Sequence, residues 1–521
     1  MAAKKIVFRG ALKLFKDSGY ALLFVIALVM CSCSGKIQNY SDEKKEVRIK
    51  PDYTDITIPP NIAPLNFTID ETGEEFRVHF FSDEGRGIIV RANGNRVSIP
   101  ERKWKELLSR CRDGEMFIDV YKKQDHSWKK FKTIVNHVAS DSIDSYLVYR
   151  LFDAGFEAWN KIGIYQRCIE NFDEDPVMIN DLSKGNCMNC HTFNKNNSNT
   201  MLFHLREKVA GTVFYKDGKL ENVNTKTNNT ITPGMFPSWH PEGRYVAFSN
   251  NHNPVFFNAI QSKLRETTDT LSDLIIYDTE TYTVIKDPLI ASKEKFETFP
   301  SWSPDGKFLY FCSANASPLS NFKNIRYNLL RIEFNPASHQ FGKIDTVFNA
   351  TKDSLSISLP RISPDGRYLL FCMMSYGNFS IWNSTSDLYL CDLETGKVSM
   401  PGINSSVADS YHTWSSTGRW IVFSSKRNDG FSTLLFFSYF DDRGNAHKPF
   451  ILPQKDPDFY STFLRTYNIP ELVTSRVPLN PRDFKNIVTS EPITSNLEDL
   501  TSFEIAGKHN NLPQQPTGIS H

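Results

Sequence analysis

Four stretches of this chain repeat one another: FPSWHPEGRYVAFSN at 236–250, FPSWSPDGKFLYFCS at 299–313, LPRISPDGRYLLFCM at 359–373 and YHTWSSTGRWIVFSS at 411–425. Trp239, Trp302, Ile362 and Trp414 hold the same register, spaced 63, 60 and 52 residues apart. A repeat of this length is a supersecondary unit that cannot cover its own apolar face and must stack on its neighbours. Within a unit, Pro-Asp-Gly predicts a type I turn followed by a left-handed position that glycine adopts at little cost. The residues after it, as in Tyr245-Val246-Ala247-Phe248, continue as a strand, so each unit opens on a tight hairpin.

A second hairpin follows in each unit. DLIIYDTETYTVI (273–285) and DLYLCDLETGKVSM (387–400) read as strand, turn, strand, and 328–347 and 433–452 repeat this with longer turns. Two hairpins make a four-stranded blade. Four blades rarely close a ring alone, so the flanks are expected to supply more. GTVFYKDGKLENVNT (211–225) reads as a hairpin, and 145–172 as two or three strands with glycine breaks. The expected fold is all-β: a six- or seven-bladed propeller with a small N-terminal β-sandwich. The expected domains are 59–140 for the sandwich, 141–230 for degenerate blades carrying an inserted CxxCH segment, 231–455 for four regular blades, and 456–521 for a closing segment and irregular tail. ERKWKELLSRC (101–111) reads as a short helix inside the first of these.

The PSWSPDG signature resembles the PD40 (WD40-like) repeats of TolB-type propellers over roughly 236–453. That resemblance implies a ring of blades whose loops around the central channel bind a partner.

The first 33 residues predict the compartment. Lys4, Lys5, Arg9, Lys13 and Lys16 precede an apolar run, Tyr20–Met30, and then Cys31-Ser32-Cys33. A basic start, a short apolar stretch and small residues at its end form a secretory signal, and the run is shorter than the ~20 residues of a membrane span. Cys33, or else Cys31, sits where a bacterial lipoprotein is cleaved and acylated. An uncleaved anchor helix is the other reading, and either places the folded part in the cell envelope, facing the periplasm or the cell surface. Residues 34–58 read as a polar tether.

GNCMNCHTF (185–193) contains Cys187, Cys190 and His191. C-x-x-C-H is the attachment signature of c-type haem. Two thiols at this spacing can add to the two vinyl groups of one porphyrin, and the adjacent imidazole can ligate the iron. Export agrees with that chemistry. His204 is the first candidate for the sixth ligand and Met201 the second; Met178, Met235 and His252 are more remote. The alternatives are a metal site from Cys187, Cys190 and His204 with His191, a thioredoxin-like redox pair, and a disulfide.

The full layout (leader, small β domain, CxxCH, PD40 repeats) resembles TolB-like, cytochrome c-type lipoproteins of Bacteroides-type bacteria. The resemblance implies covalent haem c between early blades and leaves the substrate open. Two main functions follow: electron transfer to a protein redox partner docked on the propeller, or a scaffold binding an envelope protein, peptide or glycan. A haem peroxidase or dehydrogenase subunit is a third. No catalytic residue is assigned, because the chain has no G-x-S-x-G elbow and no HExxH. It also has no Walker A loop, so no nucleotide cofactor is expected. A net charge of +1 over 521 residues gives no footprint for nucleic acid.

Overall fold

The computed structural model describes residues 37–153, 161–183, 185–206, 210–257 and 265–499. The leader with Cys31 and Cys33 lies outside them. Six antiparallel sheets follow one another along the chain. Sheet I holds Tyr146–Asp153, Ile162–Cys168 and Glu174–Ile179; sheet II holds Met188–Asn194, Asn197–Leu205, Gly211–Lys216 and Lys219–Asn224. Sheet III runs from Met235–Trp239 to Thr283–Lys286, and sheet IV from Lys295–Trp302 to Gln340–Phe348. Sheet V runs from Ser356–Ile362 to Val398–Ser399, and sheet VI from Asp409–Trp414 to Phe450–Ile451.

The fourth strand of sheet I comes from far downstream. Arg465–Val473 pairs antiparallel with Tyr146–Asp153. The leading strands of sheets II to VI and this late strand touch one another in a closed cycle. The architecture is therefore of the propeller type, as the repeat predicts, and the chain closes it by returning to its first sheet.

The turns form as the sequence predicts. The Ser303 hydroxyl donates to Asp305 Oδ1 (2.6 Å) and accepts from Phe308 N–H (2.9 Å), while Asp305 Oδ1 accepts from Lys307 N–H (3.1 Å). Gly306 takes φ +75°. A Cβ there would stand 2.4 Å from His240 Nε2, whose N–H instead donates to Gly306 O at 3.0 Å. The turn of sheet IV thus docks on sheet III. Between these sheets Trp302 packs with Tyr245, Phe311 and Phe334; Trp239 and Trp414 fill the equivalent spaces beside Phe214 and Phe440.

The N-terminal region comprises a seven-stranded sheet, a three-stranded sheet and the helix Glu101–Cys111. It begins earlier than the tether expectation allows. Ser41–Asp42, Ile49–Lys50 and Thr57–Ile58 are already strands. Their neighbours Val47, Tyr53 and Ile56 are buried, so scattered apolar residues in a polar segment anchor it. This region is joined to the ring by polar contacts as well as by a shared core. Trp420 Nε1 donates to Asp141 O at 3.0 Å, and Asn66 Nδ2 donates to Gln454 O at 3.1 Å.

The segment after 488 also departs from the irregular tail expected. Ile493–Thr494 and Asn496–Asp499 add parallel strands to the outer edges of sheets II and III. Pairing of those otherwise open edges supplies the backbone partners that the polar side chains do not advertise. Among the described residues no helix is long and apolar enough to cross a membrane.

The tryptophan between sheets sets a stability prediction. Trp302→Ala is expected to destabilise the protein by about 3–5 kcal/mol, read as a lower urea midpoint. An unchanged midpoint would mean that the inter-sheet indole is not a structural wedge.

Candidate functional site

The six innermost strands share a distortion. In sheet II the register slips between Asn189 and Thr192, and Cys190 takes φ +53°. The same slip brackets Phe236 (φ +48°), Phe299 (φ +52°) and Leu359 (φ +53°), and Ile469 takes φ +49°. Sheet VI slips at Tyr411, between Ser410 and His412. A bulge puts two residues opposite one and re-aims a side chain. Here it turns one residue per sheet toward the axis. Cys190, Phe236, Phe299, Leu359, Tyr411 and Ile469 jointly line a constriction of about 50 Å³.

Two residues further along every inner strand comes a second ring: Thr192, Ser238, Ser301, Arg361, Thr413 and Glu471. These line the mouth of the channel on the hairpin side, a cavity of about 420 Å³. Arg361 Nη2 donates to Glu471 Oε1 at 2.7 Å, and Thr413 Oγ1 donates to Glu471 Oε2 at 3.2 Å. Burial pushes the Glu471 carboxyl up, against the pull of Arg361 and Thr413.

The CxxCH segment is not an insertion between blades. Asn189-Cys190-His191-Thr192-Phe193 is the innermost strand of sheet II and corresponds to Ser410-Tyr411-His412-Thr413-Trp414 in sheet VI. Cys190, His191, His204 and Cys187 are all buried. Cys187 sits in the core between sheets I and II with Val148, Phe152, Met178 and Met201, whereas Cys190 lines the axial constriction. The seven described cysteines, these two included, are thiols.

The candidate sixth ligands are also divided. Met201 and His204 are three residues apart on Asn197–Leu205, and an odd spacing puts them on opposite faces. Met201 joins the Cys187 core; His204 Nδ1 lies 3.3 Å from Thr212 Oγ1. Met178 is core, His252 Nδ1 lies 2.7 Å from Thr270 Oγ1, and Met235 is a neighbour of Arg206. A porphyrin needs both thiols and the imidazole around one roomy cleft, and ligand clefts run to about 300–1,000 Å³. The two thiols here face different compartments, and the space beside Cys190 and His191 is about 50 Å³. In this arrangement the residues do not fit a haem. Among the described residues no group of three or more His, Cys, Asp or Glu is placed to hold a metal.

Electrostatics follow burial. His191 is pushed down to about 3 by burial, then by the Arg150 and Arg361 guanidiniums, against a backbone interaction with Val148. His204 and His412 fall to about 3, chiefly by burial. The Cys190 thiol is pushed up by burial, with Arg206 opposing. The imidazoles are held neutral and the thiol protonated.

No known family profile matches the chain, and no curated protein matches it. Among solved structures, a chain of a nidogen/laminin complex aligns at 6% identity and a TM-score of 0.36, covering 63% of this chain and 100% of its own. The Dos1 propeller aligns at 14% identity and 0.27, covering 45% and 65%. A DUF4784 family protein from Bacteroides caccae aligns at 9% and 0.24, covering 70% and 97%. Likeness at this level leaves the fold assignment on the sheet topology itself.

Two predictions follow from the buried motif. Cys187 and Cys190 are expected to resist alkylation in the native protein and to react only after unfolding; peptide mapping reads this, and prompt native labelling of Cys190 would contradict its burial. For the histidines, a folded value near 3 against about 6.5 unfolded means the unfolded state binds more protons in between. Stability is present above pH 6.5 and is lost progressively as pH falls toward 3. Urea midpoints at pH 5, 6 and 7 are expected to fall in that order, with a shallower slope in His412→Gln.

Proposed function

We propose that this protein is a six-bladed propeller that acts as a binding module of the bacterial cell envelope, engaging an envelope protein, peptide or glycan at the hairpin-side mouth of its axial channel. The leader is the support for the location: export and a lipid anchor at Cys33, or Cys31, would hold the ring at the membrane surface. The single observation that carries the binding role is the 420 Å³ mouth with its collar of hydroxyls and one ion pair, a size and mixture typical of ligand clefts. The constriction beneath it would limit how deep a ligand enters. In this reading Cys190 and His191 are axial packing residues and Cys187 is a core residue, rather than haem attachment points.

Two experiments test it. Labelled mature protein is applied to glycan and envelope-peptide arrays beside Ser301→Arg, which fills the mouth. Signals lost in the variant are expected; signals that survive undiminished place binding elsewhere. Expression with the native leader in a host that matures cytochromes c, followed by a haem stain, is expected to give no stained band. A band that vanishes in Cys187→Ala/Cys190→Ala would overturn the assignment in favour of an electron carrier.

A further inference from the structure

The collar is six-fold in position and uneven in chemistry. Four of its members are hydroxyl residues, and only Arg361 and Glu471 are charged. Among the described residues Glu471 is the single carboxylate lining the mouth, and both its oxygens are engaged, one by Arg361 and one by Thr413. Arg361 is not exhausted in the same way. Its guanidinium carries five N–H donors, and among the described residues one donation, to Glu471, is made. A third of its side chain is exposed (33%), against 5% for Glu471, so its unused donors are open to the cavity side.

The Trp239, Trp302 and Trp414 indoles line the same cavity. Trp414 Nε1 donates to Arg361 O at 3.1 Å, and the Trp239 and Trp302 Nε1 atoms are buried, so the donors open to a ligand are the collar hydroxyls and Arg361. Lys195, exposed on the rim, adds a second positive charge. The lining is therefore rich in donors, carries a surplus of positive charge, and has its one anion already satisfied.

Resting on the binding reading above, we propose that the mouth is a carboxylate-binding site in which the fork of Arg361 anchors a small organic acid, with the hydroxyl collar meeting its other acceptors. A planar guanidinium matches a carboxylate through two parallel hydrogen bonds. The ligand's carboxylate is the same kind of group that Arg361 already holds in Glu471, so the two carboxylates share one positive charge. The internal pair keeps the cation in place and leaves its free donors for the ligand, while the Glu471 charge opposes a second anion beside it.

The test uses the full mature protein and two acid–amide pairs: D-glucuronate with D-glucuronamide, and N-acetyl-Ala-Ala with its C-terminal amide. Titration calorimetry is expected to give binding of at least one acid, at least about tenfold tighter than its amide. Arg361→Gln is expected to erase the preference. Glu471→Gln, which removes the opposing charge, is expected to tighten the acid severalfold; this variant keeps the test sound if Arg361→Gln folds poorly. The pair that responds identifies the source as a sugar acid or a peptide terminus. Equal binding of acid and amide overturns the carboxylate assignment while leaving the mouth as a binding site. No binding of either acid at millimolar concentration also overturns it, and array ligands blocked by Ser301→Arg would still support the broader reading. An acid preference that survives in folded Arg361→Gln moves the anchor elsewhere and overturns it too.

Discussion

The pairing of Arg465–Val473 with Tyr146–Asp153 is the contact on which the rest of the ring depends. Sheet I has only three strands from its own stretch of chain, and without the fourth its inner edge would stand open, with unpaired N–H and C=O groups facing the axis. The late strand fills that edge and brings Ile469 and Glu471 into the inner circle. It also sits against the leading strands of sheets II and VI, so one ladder of hydrogen bonds joins the end of the repeat to its beginning. A ring closed this way converts five independent sheet-to-sheet packings into one object with an axis, and the axis is where both candidate cavities lie.

Closure alone would give a plain tube. The bulge in each inner strand shapes it. A left-handed residue, as at Phe236, Phe299 and Leu359, shifts the strand by one residue, so that the next polar position in each sheet also faces the channel. The apolar constriction and the polar collar above it are thus two consequences of one backbone irregularity repeated around the ring. This explains why Cys190 and His191 sit where they do. They occupy positions that the fold fills with Phe-Pro in two other sheets and Tyr-His in a third, and their burial follows from that register.

Much of the ring was legible because its cause is local. Pro-Asp-Gly turns, alternating strands and the tryptophan register are written within a few residues of each other, and the helix 101–111 likewise carries its own apolar stripe. What could not be read is non-local. Nothing in Arg465–Val473 says which sheet it completes, and the outer strands at 493–499 follow from edges left open elsewhere. The CxxCH segment lies between these cases. Its thiol spacing points to haem attachment, yet its last residues, CHTF, match YHTW at 411–414 of the repeat. Weighing that kinship against the cysteine spacing would have placed Cys190 and His191 in an inner strand.

The break in symmetry at the mouth then carries the functional argument. Four sheets supply the collar with small hydroxyl residues and the other two with an arginine and a buried glutamate, a pair whose attraction works against the cost of desolvating the carboxylate. The pair reaches across the mouth from sheet V to the closing strand, and Thr413 of sheet VI bonds the same glutamate between them. A charged pair there fixes the late strand's register, since a shift of one residue would turn Glu471 away from Arg361. It also leaves a third of the Arg361 side chain exposed beside an open cavity. One pair therefore links the closing strand to the chemistry of the mouth: whatever engages Arg361 does so beside a contact that this strand makes.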